Sequence, residues 1–346
     1  MNRLTIIKPD DWHLHLRDSP YLESVVGDSA RQFARGIVMP NLSPPVTTCK
    51  DALAYRNRIL SALPADHQFQ PLMTLYLTDN SDVADIKQAS TSEYIFAAKL
   101  YPAGATTNSD AGVTDLKHIY NVLETMQESQ LPLLIHGEAT GDAVDIFDRE
   151  KRFIDTSLDS IRSDFPELPI VFEHITTSEA VDYVAAQDSK IAATVTPHHL
   201  LINRNAMFNK GIRPHHYCLP VAKREKHRQA LLKAATGDSN SFFAGTDSAP
   251  HSQQAKEAAC GCAGIYSAFC AIELYAEAFE MIGNFSNFEA FMSLNGPAFY
   301  QLPVNKDRLV LQKSTWAVPD SLPFGKQNLI PFKAGETLQW KVVLDD

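Results

Sequence analysis

The sequence predicts a (β/α)8 barrel, the TIM-barrel architecture of the α/β class, and three observations support this prediction. Eight short apolar segments rich in β-favouring residues recur along the 346-residue chain. Segments with helical periodicity separate them, and each strand–helix unit is about 33 residues long, as expected for a βαβ repeat. A doubly wound open sheet would usually carry a glycine-rich turn after its first strand, whereas this chain has HLHLRD there. A closed parallel barrel is therefore favoured.

The predicted strands lie, in order, in the segments LTIIKPDDWHLHL, GIVMPN, PLMTLYLT, IFAAKLYPAG, LPLLIHGE, PIVFEHIT, IAATVTPHH and SFFAGTDSAPH. Helices are predicted at residues 51–63, after the second strand, and at residues 115–129, after the fourth. The second of these helices has apolar residues at the i, i+3, i+4, i+7 spacing, namely Leu116, Ile119, Tyr120, Leu123 and Met126. After the eighth strand, one side of an alanine-rich helix is predicted to carry Ile265, Phe269, Ile272 and Phe279.

The end of the chain differs from the repeat. Residues 304–346 contain short β-type segments around proline and glycine, and no helical pattern follows them. We therefore expect residues 1–346 to form a single barrel domain, with residues 304–346 packed on it as a C-terminal β-containing extension.

Composition argues against several classes of protein. The formal charge of −10 and the isoelectric point near 5.6 argue against a nucleic-acid partner. No apolar run reaches the roughly 18 residues that a membrane span needs, and the N-terminus lacks the apolar core of a signal peptide. Five scattered cysteines, an odd number, predict reduced thiols and a cytoplasmic location. Cys260 and Cys262 lack the two-residue gap of a zinc knuckle, so a packed turn is favoured.

Polar residues at the ends of the predicted strands are the candidate functional residues. The carboxyl ends of barrel strands meet at one mouth, where active sites lie. The residues placed there are His13, His15, Asn41, Lys99, His136, His174, Asp247 and His251. Taken singly, each histidine could be structural, Lys99 could extend to solvent and Asp247 could cap a turn. Together, imidazoles and a carboxylate suit zinc, and their burial without a cation would be costly.

Two further histidine pairs test this interpretation, because the number of histidines alone does not exclude them as metal ligands. They are His198, His199, His215 and His216. We predict that they support the fold or the site and do not bind the metal.

With these residues assembled, the sequence resembles the amidohydrolase superfamily and, within it, the dihydroorotases of the shorter, free-standing bacterial type. The resemblance covers nearly the whole chain. Its anchors are DDWHLHLRD, VMPNLSPPVTT, AAKLYPAGATTNSDAGV, LLIHGE, VFEHITT, and FFAGTDSAPH followed by CGCAG. HxH alone is a weak motif, whereas the ordered set is specific. The resemblance implies the reversible cyclisation of N-carbamoyl-L-aspartate to L-dihydroorotate plus water, a step of pyrimidine biosynthesis.

The resemblance also implies the roles of the polar residues. Lys99 would be carboxylated on Nζ, and this N6-carboxylysine would bridge two Zn²⁺ ions together with a hydroxide. Asp247 would act as the general acid and base. The metal ligands would be His13, His15, Lys99, His136, His174 and Asp247.

The remaining implied roles concern the substrate and the assembly. Substrate-binding residues would be Arg17, Asn41, Leu219, His251 and Ala263. Thr106 and Thr107 would lie on a mobile loop that reaches over the ligand, with Gly104 and Gly112 as its hinges. The family resemblance implies a homodimer that acts on a small-molecule substrate.

Two rival functions are open at this point. A hydantoinase-like cyclic amidohydrolase would have a similar metal site, but Arg17, Asn41 and His251 suit a small acidic substrate better. A non-catalytic scaffold would be expected to lose metal ligands, whereas every ligand position is filled here.

Overall fold

A barrel of eight parallel strands lies at the centre of the computed structural model, which describes residues 2–187 and 189–343. The strands are β1 (Arg3–Ile7), β2 (Asp11–Leu14), β3 (Arg35–Val38), β4 (Gln70–Tyr76), β5 (Ile95–Leu100), β6 (Leu133–Ile135), β7 (Ile170–Phe172), β8 (Ile191–Val195), β9 (Phe242–Ala244), β10 (Arg308–Ala317), β11 (Leu322–Phe324), β12 (Gln327–Leu329) and β13 (Thr337–Val343). Strands β2 to β9 pair in chain order, and each pair is parallel.

The ring closes just beyond the ends of β9 and β2. The backbone N–H of Asp247 donates to the carbonyl of His13 over 2.8 Å, and that of His15 donates to Ser248 over 3.0 Å. Asp11 reinforces this seam, because its carboxylate accepts both the N–H and the hydroxyl of Thr246. The predicted (β/α)8 barrel is therefore confirmed.

Helices cover the outside of the barrel. They are α1 (Leu22–Gln32), α2 (Cys49–Ala62), α3 (Val83–Ser90), α4 (Tyr120–Ser129), α5 (Arg149–Phe153), α6 (Asp159–Asp164), α7 (Ser178–Ala185), α8 (Pro197–Leu201), α9 (Glu225–Thr236), α10 (Gln253–Lys256), α11 (Ala271–Ile282) and α12 (Asn295–Phe299). The helix predicted at 51–63 is α2, and that predicted at 115–129 is a 3₁₀ turn followed by α4. The stripe predicted after strand eight is wrong at its start, because Ile265 and Phe269 precede α11.

The first predicted strand is two strands in the structure. Only β2 belongs to the barrel, whereas β1 pairs antiparallel with β10, which in turn pairs with β13. The proline at position 9 lies between them, where it cannot donate to a strand ladder. The N-terminal strand thus holds the C-terminal β segments against the barrel. We keep the proposal of one domain, although residues 344–346 of the predicted extension lie outside the described residues.

Two apolar layers stabilise this arrangement. The larger layer packs the outer faces of the strands against the helices. The smaller one fills the barrel and includes Ala97, Leu134, Val171 and Phe243. Trp12 closes the lower end by stacking on Tyr300 with ring centroids 4.5 Å apart. Among the described residues, no helix combines the length and apolar character needed to cross a bilayer.

Candidate active site

Because side chains alternate in direction along a strand, two of the polar residues point into the barrel near its mouth. Ala97 and Leu134 face the barrel interior, and residues two positions further along a strand face the same way. Lys99 and His136 follow at this spacing and are both buried. The apolar interior layer therefore becomes a polar layer one strand step nearer the mouth.

The β2 strand departs from the regular alternation of side-chain direction. Its pairing with β3 shifts register between Asp11 and Leu14, so Trp12 joins the interior layer while Leu14 joins the outer one. The strand ends at Leu14. On a regular strand His13, His15 and Arg17, each two residues apart, would point the same way. His15 and Arg17 instead reach the site from the segment after the strand.

Left-handed backbone conformations orient three of the candidate residues. Arg17, His174 and Asp247 have φ values of 59°, 41° and 45°, a region that non-glycine residues seldom adopt. Val171 faces the barrel interior, so regular alternation would turn Glu173 inward and His174 outward. The left-handed turn at His174 allows both side chains to enter the site. Such backbone strain is typical of functional sites.

The first donor group consists of His13, His15 and Asp247. His13 Nε2 lies 3.3 Å from His15 Nε2 and 3.3 Å from Asp247 Oδ1. His15 Nε2 lies 3.2 Å from the same oxygen. Ligand atoms about 2.0–2.1 Å from a tetrahedral zinc ion are separated by about 3.3 Å. The three donor atoms therefore already have the spacing of a zinc ligand set.

Neighbouring oxygen atoms determine which histidine nitrogens face this centre. His15 Nδ1 donates to Asn41 Oδ1 over 2.8 Å, which leaves Nε2 without a proton. His13 Nδ1 lies 3.0 Å from Glu173 Oε1, although neither atom has a hydrogen-bond partner among the described residues. Burial lowers the pKa of His13 and lowers that of His15 to about 4. Both imidazoles are thus neutral near pH 7, which is the form that binds metal ions.

The second group is His136 with His174. His136 Nε2 donates to Glu138 over 2.9 Å, so Nδ1 is the nitrogen with a free lone pair, and it lies 3.3 Å from His174 Nε2. His174 Nδ1 is buried and has no hydrogen-bond partner among the described residues. Burial again lowers the pKa of both histidines.

Lys99 lies near both groups, since its charge acts on His13, His136 and His174. Its Nζ contacts a carboxylate oxygen of Glu173, and both side chains are fully buried. Burial lowers the pKa of Lys99 well below its usual value, which favours the neutral amine, the form that can react with CO2.

The donor set passes a test for metal binding. In the first group the lone pairs of two imidazole nitrogens and a carboxylate oxygen point at each other within 3.3 Å. Burial opposes ionisation of Asp247, but the adjacent His13 and His15 outweigh it and hold the pKa of this carboxyl well below its usual range. Converging acceptors repel each other unless a cation lies between them. The residues present therefore fit a divalent metal centre.

A guanidinium group lines the same cavity as the donor groups. Arg17 is anchored by Nε to the carbonyl of Pro250 over 3.1 Å, and its Nη2 donates to His251 Nε2 over 2.8 Å. Burial and the adjacent guanidinium lower the pKa of His251 to about 2, so this imidazole is neutral. The anchored guanidinium is an apt partner for a carboxylate.

The predicted loop lies closed over the site. Thr107 donates its hydroxyl to the carbonyl of Ala263 over 3.4 Å, and its own carbonyl accepts from Asn41 over 3.1 Å. Gly104 has a φ of 74°, and a Cβ at Gly112 would lie 2.4 Å from the carbonyl of Tyr101, so both ends of the loop require glycine.

The closed loop leaves little room beneath it. The cavity has a volume of about 20 Å³ and is lined by His13, His15, Arg17, Asn41, Tyr101, Thr106, Thr107, His136, His174, Cys218, Leu219, Asp247, Ala249, Ala263 and Gly264. This volume suits roughly one water molecule. A ligand with a six-membered ring therefore requires the loop to move.

Comparison with known proteins assigns the family. A model of the amidohydrolase family matches residues 5–334. A dihydroorotase of Cupriavidus taiwanensis is 60% identical over 339 residues, which cover 98% of both chains. The chain belongs to the amidohydrolase family, among the dihydroorotases. The dihydroorotase structure from Campylobacter jejuni superposes with a TM-score of 0.91 at 36% identity, covering 99% of this chain and 98% of that one. A Saccharomyces cerevisiae dihydroorotase in complex with 5-fluoroorotic acid superposes with a TM-score of 0.90 at 33% identity, covering 99% of both chains.

Sequence reasoning missed two buried acids in the site of this amidohydrolase. Glu173 contacts Lys99 and His13, and Glu138 accepts from His136. Both stand next to predicted ligands, in FEH and HGE. Carboxylates that fix metal-binding histidines are common, so an acid within two residues of a candidate ligand was the available signal.

A third donor group, beside the amidohydrolase site, consists of His198, His199 and Cys218. His199 bonds through Nδ1 to Thr196 over 2.8 Å and through Nε2 to the carbonyl of Pro220 over 3.0 Å. Both of its nitrogens are engaged, as for a structural histidine. His215 and His216 pair with Glu257 and with the carbonyl of Ala206. Neither ring nitrogen of His198 has a hydrogen-bond partner among the described residues, so the supporting role of these histidines stays a prediction.

Proposed function

We propose that this chain catalyses the reversible cyclisation of N-carbamoyl-L-aspartate to L-dihydroorotate with release of water. The observation that carries the proposal is the juxtaposition of two histidine-based donor groups with an anchored guanidinium. His13 and Asp247 belong to the first group, and Arg17 is held beside them by Pro250 and His251. A cyclic amide with an acidic substituent matches this arrangement, since the amide would face the donor groups and the acid would face the guanidinium of Arg17. The full-length similarity to dihydroorotases supports the same assignment.

The metal centre would be binuclear and contain zinc. His13, His15 and Asp247 would hold one ion, and His136 with His174 would hold the other. Two zinc ions would polarise the amide carbonyl and lower the pKa of the attacking water. Lys99 would join the groups after carboxylation, since a carbamate supplies anionic oxygens where an ammonium would repel cations. Elemental analysis of metal per chain, with and without a chelator, tests this assignment.

Asp247 would move the proton. In ring opening its carboxylate accepts a proton from the attacking water and then delivers it to the leaving ring nitrogen. In ring closure the same group must begin protonated. Its position supports this role, because Oδ1 is one of the three donor atoms of the first group and the residue lines the cavity.

Arg17, Asn41 and His251 would bind the substrate carboxylate, while Leu219 and Ala263 would contact the ring through their backbone. Thr106 and Thr107 would close over the bound ligand. Asn41 already bonds to His15 and to the loop, so it would link ligand binding to both metal geometry and loop position. We further propose a homodimer and a cytoplasmic location, as in the interpretation of the sequence.

Turnover of a matched pair of substrates tests the proposed function. Dihydrouracil has the ring of dihydroorotate without its carboxylate, and a hydantoinase-like enzyme would accept it. We expect kcat/KM for L-dihydroorotate to exceed that for dihydrouracil by roughly 10³-fold, because a site built around a charged partner rejects an analogue that lacks it. Equal turnover of both would favour the hydantoinase-like alternative. Bound metal without turnover of either would favour a non-catalytic scaffold.

Replacement of Arg17 by methionine is expected to raise KM for dihydroorotate roughly 100-fold while metal content stays unchanged. The substitution keeps the apolar stem but removes a buried charged donor, a large loss in binding free energy. Steady-state kinetics and elemental analysis measure the two quantities. Arg58→Met is the matched control, since Arg58 pairs with Asp18 at the surface over 2.7 Å. Wild-type KM in the Arg17 variant would contradict the carboxylate-binding role.

A further inference from the structure

A buried lysine outside the metal centre has an unusually complete set of partners. Lys256 ends the short helix α10 and is only 3% exposed. Its Nζ donates to three backbone carbonyls, those of Tyr217 over 2.8 Å, Cys262 over 2.9 Å and Gly264 over 2.7 Å. An ammonium has three N–H donors and no acceptor. Every donor of this side chain is therefore used, and each bond goes to main chain.

The three carbonyls belong to the two segments that carry the proposed backbone contacts to the substrate. Cys262 and Gly264 flank Ala263, and Tyr217 is two residues before Leu219. The two segments also meet directly, because the N–H of Gly264 donates to the carbonyl of Tyr217 over 3.0 Å. Lys256 thus fixes both segments to one point beneath the wall of the cavity.

The segment that Lys256 holds packs closely against other residues of the site. Gly264 has a φ of 146°, and a Cβ there would lie 2.7 Å from Cδ2 and 2.9 Å from Nε2 of His251. The same His251 nitrogen accepts from Arg17, while Ala263 accepts from the loop residue Thr107. A shift of the segment 261–264 would therefore disturb both the carboxylate-binding group and the closed loop.

We propose that Lys256 is a positioning residue that sets the geometry of the substrate subsite by holding the segments 217–219 and 262–264 together. This inference rests on the proposed function, because it takes Leu219 and Ala263 as substrate contacts. The charged form is required, since a neutral amine has two N–H donors for three carbonyls. Burial lowers the pKa of Lys256 to about 8, and the nearby thiols Cys218 and Cys262 oppose this shift.

The variant Lys256→Ala tests the inference. We expect KM for dihydroorotate to rise roughly 10- to 100-fold, because a displacement near 1 Å has effects of this size, while kcat and metal content change little. Ethylammonium chloride should lower KM again by filling the space and donating to the same carbonyls. Lys256→Met fills that space with an uncharged side chain, so its KM should be raised and should not respond to ethylammonium.

The matched control is Lys8→Ala. Lys8 is a half-buried lysine that donates to the carbonyl of Ala30 over 3.3 Å, before the start of β2 and away from the barrel mouth. We expect this variant to have the wild-type KM and no response to ethylammonium. Two results would overturn the positioning role alone. One is a wild-type KM in Lys256→Met. The other is a fall in kcat as large as the rise in KM in Lys256→Ala, with no rescue by ethylammonium. Absence of dihydroorotate turnover by the wild-type protein would overturn the proposed function, and this inference with it.

Discussion

Replacement of Lys99 by alanine is expected to remove bound metal and to lower kcat/KM for dihydroorotate by roughly 10³-fold or more. Lys99 is a buried side chain close to histidines of both donor groups. Alanine offers neither an amine to carboxylate nor an oxygen to bind a cation. Elemental analysis and turnover assays on the same preparation measure the two losses together.

Loss of folding must be separated from loss of metal in this experiment. Removal of Lys99 leaves the buried carboxylate of Glu173 without its lysine partner, and an unpaired buried charge is strongly destabilising. The double variant Lys99→Ala, Glu173→Gln removes that charge. It should melt nearer to the wild-type temperature but still lack metal and activity.

Two further measurements identify the chemical role of Lys99. Lys99→Arg places a cation beside Glu173 but is not expected to form the carbamate, so we expect it to be inactive as well. A short carboxylic acid such as propionate should partly restore activity to Lys99→Ala by supplying the missing oxygens. Two bound metal ions and wild-type turnover in the alanine variant would refute the proposed bridge.

The second large effect is expected at Asp247. Asparagine has nearly the same shape but neither the charge nor the proton-transfer capacity of aspartate, and general acid–base catalysis contributes about 10²- to 10⁴-fold. We therefore expect Asp247→Asn to lose at least roughly 10³-fold in kcat in both directions of the reaction. Asp28→Asn is a suitable control, because Asp28 accepts a hydrogen bond from Tyr266 away from the donor groups.

The pH dependence of the two directions follows from the same residue. The adjacent His13 and His15 overcome the effect of burial and hold the pKa of Asp247 well below its usual range, so the carboxylate is ready for ring opening at neutral pH. Ring closure needs the protonated acid, whose population falls as pH rises. Because the pKa of Asp247 lies below this range, we expect kcat/KM for closure to fall between mildly acidic and mildly alkaline pH, while kcat/KM for opening changes little. Parallel profiles would contradict the proton-transfer role of Asp247.

The sequence determined the barrel and most members of the site. Apolar segments ending in polar residues at a steady spacing specify strands with a common polar end, because the carboxyl ends of barrel strands meet at one mouth. That rule correctly brought Lys99 and His136 together beneath the mouth. It also suggested zinc, since imidazole and carboxylate donors at several strand ends match the ligands of that ion.

Only the tertiary structure decided how the remaining residues enter the site. The register shift in β2 and the left-handed turns at Arg17, His174 and Asp247 override alternation, and no local pattern of residue types encodes them. Local residue patterns also do not reveal the roles of Glu173 and Lys256. Glu173 contacts Lys99, and Lys256 binds carbonyls of two separate segments. A periodic pattern specifies direction within one element. The approach of one element to another depends on closure of the whole barrel, which brings their side chains and carbonyls within hydrogen-bonding distance.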